Sequence, residues 1–349
     1  MKSHLAYGIG LLLVLATTLL ATSCGTSQTP KATATPTSTP TSASTPIPSV
    51  EEFSICTNEE TQLWPAVSNN IVVWWDERND AGDIYGYNLA TQTEFPLCTN
   101  LSQQVYPTIS DDIVLWADVR NGNWDIYSYN LSSSIEFPVC TNLSDQWSPS
   151  ASGNIVVWDD ERNMNDDMND DIYGYNLSSS TEFPICINPS SQSSPEIYRD
   201  NVVWVDTRNG NLDIYGYNLS SATEFPICTN ASWQDNPEIY GDIVVWMDNR
   251  NGNLDIYGYN LSSATEFPIC TNLSIQWYPD ISSDIVVWHD LRNSNDYIYG
   301  YNLSSSTEFP VYTKPSEQGS ADISGDTVVW GDKRHGNTDI YGARLTFEE

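Results

Sequence analysis

From residue 51 onward the chain alternates short apolar runs with polar breaks, and no stretch keeps a helical rhythm of three to four residues. The runs are rich in Val, Ile, Trp, Tyr and Thr, which suit a pleated, half-buried surface, while Asn, Asp, Gly and Ser close each run. Four kinds of run recur in fixed order: "PTIS"-like text, then "DIVVW-x-D-x-R", then "DIYGYNL", then "TEFPICT". The pattern predicts strands alone, grouped in fours.

The "IVVW" run or a near relative begins at Ile71, Ile113, Ile155, Asn201, Ile243, Ile285 and Thr327, so there are seven copies with steps of 42, 42, 46, 42, 42 and 42. The long step holds four extra residues in "RNMNDDMNDDIY" of the third copy. Four-strand units at this period are the mark of propeller blades. The last copy stops at "DIYGARLTFEE" without a "TEFPICT" strand, and residues 51–57, "EEFSICT", supply that strand at the other end. The expected fold is therefore all-β. It is a seven-bladed β-propeller of four-stranded antiparallel blades over 51–349, closed by the N-terminal strand 51–57 pairing with the last blade. Closure removes the open sheet edges that invite aggregation. The repeated text "VVWxDxRNGNxDIYGYNL" resembles the TolB-like propeller repeats of bacterial and archaeal surface proteins, which also occur in the propeller halves of some prolyl peptidases. The resemblance implies the fold and leaves function open, because propellers host many roles.

What every blade carries is most simply what every blade needs. Trp74, Trp116, Trp158, Trp204, Trp246, Trp288 and Trp330 share one position of the second strand, where a large ring fills the space between neighbouring blades. Asp76 and Arg78 follow at period two, with equivalents through Asp332 and Arg334, and Asp83 and its equivalents begin the third strand. A carboxylate–guanidinium–carboxylate cluster is expected at each hairpin; blade six departs, with Asp296 one place early and Tyr297 in the aligned slot. Cys56, Cys98, Cys140, Cys186, Cys228 and Cys270 fall once per blade on fourth strands too far apart to be bridged, so six free thiols are expected.

Function is expected where the copies disagree on a shared face. Gln62, Gln104, Gln146 and Gln276, with Gln192, Gln234 and Gln318, precede each first strand and either bind a ligand at the mouth or satisfy the crossing loop. Beside them stand variable rings at Trp64, Tyr106, Trp147, Trp233, Trp277 and Tyr278, with Trp124 at a hairpin tip, fit for sugar stacking, for a protein contact, or for plugging the channel.

The first residues change the picture of location. Lys2, an apolar run over 7–20 and "ATSC" at 21–24 resemble the lipobox of bacterial lipoproteins, which implies a signal peptide over 1–23 and lipid on Cys24. Residues 24–50 are almost entirely Thr, Ser, Pro and Ala with one charge, Lys31, a composition for a disordered stalk. With 46 acidic residues against 13 basic and a net charge of −33, nucleic acid is excluded as a partner; the acidity fits a solvated, self-repelling surface, cation accumulation or a cationic partner.

Outside the signal the only histidines are His289 and His335, and no nucleophile elbow or phosphate loop is visible. The insertion offers Asp166, Asp167, Asp170 and Asp171 as a weak candidate for Ca²⁺, without the glycine of a known calcium loop; otherwise no cofactor is expected. The expectation is a monomeric, exported, lipid-anchored binding module at the cell surface or in the periplasm. It is read as non-enzymatic, meeting a protein or a glycan by its loop face and the membrane only through its lipid. A polysaccharide lyase or hydrolase and a purely structural envelope protein are the alternatives.

Overall fold

The computed structural model describes residues 47–79, 82–163, 169–292, 296–314 and 318–347. Twenty-eight strands are found there, in chain order from β1 (Ser49–Cys56) to β28 (Asp339–Thr346). Blade 1 shows the unit: β2 (Gln62–Ser68), β3 (Ile71–Asp76), β4 (Asp83–Asn88) and β5 (Thr93–Cys98), each antiparallel to the next. Blades 2 to 6 repeat it over 104–140, 146–186, 192–228, 234–270 and 276–312. In blade 7, β26 (Gln318–Ser324) and β27 (Thr327–Asp332) precede β28, and the fourth place is taken by β1. Ser49 pairs with Thr346 and Ser54 with Tyr341, so the closure expected from residues 51–57 is present and begins two residues earlier.

The first strand of each blade lies innermost. Entry loops and the hairpins between second and third strands share one face, called upper here; the remaining hairpins share the lower face. Neighbouring blades are laced on both. On the upper face Gln62 N donates to Thr338 O across the closure at 2.8 Å, and Gln146 N to Trp124 O at 2.8 Å. On the lower face Asn69 N donates to Ser324 Oγ at 2.9 Å and Asp111 N to Ser68 Oγ at 3.0 Å.

The core consists of layers between blades. Val203, Val205 and Ile214 of blade 4, for example, meet Ile239, Trp246 and Tyr257 of blade 5. All seven second-strand tryptophans are fully buried, as expected. Each indole nitrogen donates to the aspartate two residues on, Trp74 to Asp76 at 2.8 Å. That aspartate, also fully buried, binds the arginine two residues further: Arg78 reaches it through its backbone N and Nε at 2.9 and 2.8 Å. Arg78 then lies over Tyr85 at 4.1 Å and touches Cys56 Sγ of the neighbouring blade at 3.2 Å. The second carboxylate of the cluster is Glu94, on the fourth strand. The third-strand aspartate is held by an asparagine: Asn79 Nδ2 donates to Asp83 Oδ2 at 2.7 Å. The cluster thus spans three strands, because the long guanidinium side chain crosses the third strand to reach the fourth. All six cysteines of the head are free and buried, and burial pushes each thiol up to about 12.

Candidate functional site: the mouth and the channel

The first strand carries a bulge in every blade, between Leu63 and Ala66 in blade 1. At the bulge the residue before proline adopts a left-handed backbone: Trp64 (φ 51°), Tyr106 (52°), Ser148 (47°), Ser194 (52°), Asn236 (51°) and Tyr278 (48°). Such a conformation is disfavoured for bulky residues and before proline, at a cost on the order of 1–3 kcal/mol each. It is tolerated because the flanking ladder fixes the strand on both sides. Asn236, Tyr278 and the equivalent Ser320 line the channel, so this strained position sets what the mouth presents.

The rings expected to matter are gathered there. Trp64 packs on Tyr106 at 4.4 Å between centroids and on Trp75 at 5.4 Å; Tyr106 meets Trp147 at 6.4 Å, and Trp147 meets Trp124 at 4.7 Å. This is one aromatic wall over blades 1 to 3. A second group stands in blades 5 and 6, where Trp277 and Tyr278 are 5.9 Å apart and Trp233 packs on the layer beneath. Tyr106 is 38% and Tyr278 46% exposed, and the other five rings are half-buried. The hydroxyls of Tyr106 and Tyr278 are close enough to raise the pKa of Tyr278, after burial and Asp235.

Gln62, Gln104, Gln146 and Gln276 lie deeper, fully buried. Each amide nitrogen donates to the carbonyl two residues earlier, Gln62 to Glu60 O and Gln276 to Ser274 O at 2.6 Å, which fixes the entry loop.

Below the mouth the first strands enclose a channel of about 1340 Å³. Its wall includes the residue after the proline in blades 2 to 6 and after Ala321 in blade 7, in order Thr108, Ser150, Glu196, Glu238, Asp280 and Asp322; the equivalent residue of blade 1, Ala66, is buried in the core. Sequence reading missed this ring, although the signal was present: one register position is small or hydroxylic in three consecutive blades and acidic in the next four. Ser150 Oγ donates to Glu196 at 2.7 Å, Asp280 accepts from the backbone N of Ile281 and Ile323, both at 2.7 Å, and Asp322 accepts from Val67 N at 3.3 Å. Glu238 has no hydrogen-bond or ion-pair partner among the described residues. Burial pushes Glu196 up to about 8 and Asp280 up to about 6. Glu238 and Asp322 rise well above the usual range, by burial and then by repulsion from Asp280 and Glu196. All four remain half-buried, in touch with the channel.

At the insertion, Asp166 and Asp167 lie outside the described residues, as does Cys24. Asp171 belongs to the frame and accepts from Asn163 Nδ2 at 2.7 Å; Asp170 accepts from Ser191 Oγ at 3.4 Å. Among the described residues no group of three or more His, Cys, Asp or Glu side chains is placed to hold a metal ion.

These features define a seven-bladed β-propeller with an aromatic mouth above a one-sided acidic channel. No family model and no curated protein matches the chain. Among solved structures it is similar to oligogalacturonate lyase from Vibrio parahaemolyticus, with a TM-score of 0.66 and 11% identity over 85% of this chain and 97% of that one. It is similar to acylaminoacyl peptidase from Pyrococcus horikoshii, with a TM-score of 0.63 and 12% identity over 83% of this chain and 52% of that one. A putative TolB from Agrobacterium tumefaciens is also similar, with a TM-score of 0.48 and 15% identity over 86% of this chain and 99% of that one. The expectation of a non-enzyme is corrected by these likenesses. Structures that superpose on more than four-fifths of the chain include a lyase and a peptidase, so this architecture is one that enzymes also use. Lack of a familiar catalytic motif excluded too much, because a propeller assembles its site from single residues on separate blades.

Proposed function

We propose that the head binds a protein partner at the cell envelope by taking a lysine- or arginine-bearing segment into the mouth and channel. One observation carries this reading: carboxylates of blades 4 to 7 line one channel, on whose mouth side blades 1 to 3 carry a wall of packed aromatic rings. A cation over an indole face gains about 0.5–2 kcal/mol, and carboxylates with no basic partner of their own favour a charge brought from outside. The strong acidity of the whole chain steers such a segment towards the mouth. Lipid on Cys24 and the stalk over 24–50 would hold a monomeric head at the envelope, at the surface or in the periplasm.

Titration calorimetry with a short Lys/Arg-rich peptide and its neutral counterpart tests the reading. Binding is expected for the charged peptide alone, weakened by salt, by Glu238→Gln and by Trp64→Ala. Equal binding of both peptides, or indifference to Glu238→Gln, sinks it.

A second reading has its own support. Burial pushes Glu196 up to about 8 and Asp280 up to about 6, and carboxyls raised in this way can serve as a general acid. An amino sugar or neutral sugar, stacked on the mouth rings such as Trp64 and Tyr106, is the substrate class this reading would take. A uronate chain, the substrate class named for the lyases, would meet four like charges. Release of shortened oligosaccharides, lost in Glu196→Gln, would favour this reading over peptide capture.

A further inference from the structure

Serine ends the first strand in five blades, at Ser68, Ser110, Ser152, Ser282 and Ser324. It laces the lower face: besides the two bonds given above, Ser152 Oγ accepts from Arg199 N at 2.8 Å and Ser282 Oγ from Gly325 N at 2.9 Å. Blades 4 and 5 give up this serine for Tyr198 and Tyr240. The two rings pack on one another instead, 4.6 Å apart between centroids and tilted by 42°, each seated on the apolar layer beneath it. The next residue is left-handed in every blade, at Asn69, Asp111, Gly153, Arg199, Gly241, Ser283 and Gly325, with φ between 50° and 63°. Gly, Asn and Asp suit that backbone, and Arg199 is the one long side chain among them. Its guanidinium lies 5.3 Å from the centroid of the Tyr198 ring. Three residues that depart from the repeat thus stand side by side, and all three line the channel at its lower opening.

Arg199 also differs from the other arginines. Those at 78, 120, 162, 208, 250, 292 and 334 belong to the ion clusters, and Arg344 stands opposite Glu51 across β28 and β1. Arg199 is exposed and has no carboxylate partner among the described residues. The acid next to it, Asp200, is turned to its own blade, where it accepts from Ser220 Oγ at 2.7 Å. Glu196, two residues back on the strand of Tyr198, is pushed up to about 8 by burial and so holds its proton at neutral pH in the empty channel.

We propose that Tyr198, Arg199 and Tyr240 form a binding site, at the lower opening, for a glycan that carries isolated carboxylate groups. The guanidinium fork matches a carboxylate with two parallel hydrogen bonds, and the tyrosine pair offers a ring face and hydroxyls to the sugar beside it. Charge selects a glycan over an acidic protein surface. A chain of net charge −33 repels a partner with many negative charges spread over a wide area. A lone carboxylate is spared most of that repulsion, since salt screens charges beyond about 8 Å at physiological ionic strength. The site lies at the opposite end of the channel from the aromatic mouth and is independent of what the mouth takes.

Ligand-observed NMR titration of the purified protein with hyaluronan tetrasaccharide, in which glucuronate alternates with a neutral sugar, tests the site. The carboxyl-reduced tetrasaccharide and a short Glu-rich peptide are the comparisons. Saturable binding of the acidic tetrasaccharide is expected, about tenfold or more tighter than that of the reduced one. Arg199→Gly should weaken it about tenfold or more and Tyr240→Ser about fivefold. Both substitutions install what other blades carry at the same position, so the fold is kept. No saturable binding, equal binding of the reduced tetrasaccharide, or undiminished binding by Arg199→Gly would each overturn the proposal. Preference for the Glu-rich peptide would overturn it in favour of an acidic protein segment, and loss of sugar binding through Trp64→Ala would move the sugar to the mouth.

Discussion

Arg208→Ala is expected to destabilise the protein several times more than Glu224→Ala, although both side chains belong to one ion cluster. Asp206, the shared partner, is fully buried and accepts from Trp204 Nε1 at 3.1 Å and from Arg208 through its backbone N, Nε and Nη2 at 2.8, 2.9 and 2.5 Å. Truncating Arg208 leaves the carboxylate with the indole and one backbone donor, and breaking a buried pair costs about 3–5 kcal/mol. The two surviving donors place the electrostatic loss near the lower end, about 3 kcal/mol. Loss of the guanidinium stacked 4.1 Å over Tyr215 adds about 0.5–1 kcal/mol. Glu224 is 34% exposed on its side chain, and its pair contributes less than about 1 kcal/mol. Urea unfolding followed by tryptophan fluorescence measures both, the midpoint being compared at unchanged slope. Adding Asp206→Asn to Arg208→Ala should recover part of the loss, since the charge left behind is then gone. Equal costs for Arg208→Ala and Glu224→Ala, or a cost below about 1 kcal/mol for the former, would refute the view that Asp206 depends on its arginine.

Three further outcomes are expected. Glu196 and Asp280 bind protons more tightly folded than unfolded, so their stabilisation is present below the ordinary carboxyl range and is lost as pH rises through about 6 and about 8. Tm across pH 5–9 should therefore fall less steeply in Glu238→Gln than in the parent, and identical slopes would count against the channel cluster. The six head thiols should resist a thiol reagent in the native protein and react after unfolding, because burial holds them near 12; rapid native reaction would contradict their burial. Gly82→Ala should cost more than about 2 kcal/mol through its clash with Trp75, whereas Gly210→Ala, with φ 88° and open space around it, should cost about 1 kcal/mol. Thermal denaturation separates the two.

The fold could be read closely from the sequence because its determinants are local and repeated seven times. Trp74 and its equivalents, the Asp76–Arg78 spacing and the missing last strand each declared themselves by recurrence. Glu94 was overlooked as the second arm of the ion cluster because reach across a strand is a three-dimensional fact that period-two counting does not show. The rings at Trp64, Tyr106 and Tyr278 stood out by size, but their left-handed backbone follows from a bulge that no single residue announces. Glu196, Glu238, Asp280 and Asp322 were hidden by the general acidity of the chain. An aspartate among 46 acids is unremarked until four of them face one cavity.

The closing strand also decides which way the molecule faces. β1 enters at Ser49, beside Thr346, and climbs to Cys56 before the chain crosses to the entry loop of blade 1. Ser49 therefore lies on the outer rim of the lower face, opposite the aromatic mouth. A label or surface coupled at Ser49 would leave the channel opening uncovered, so a binding assay that immobilises the head there would still present its mouth to solution.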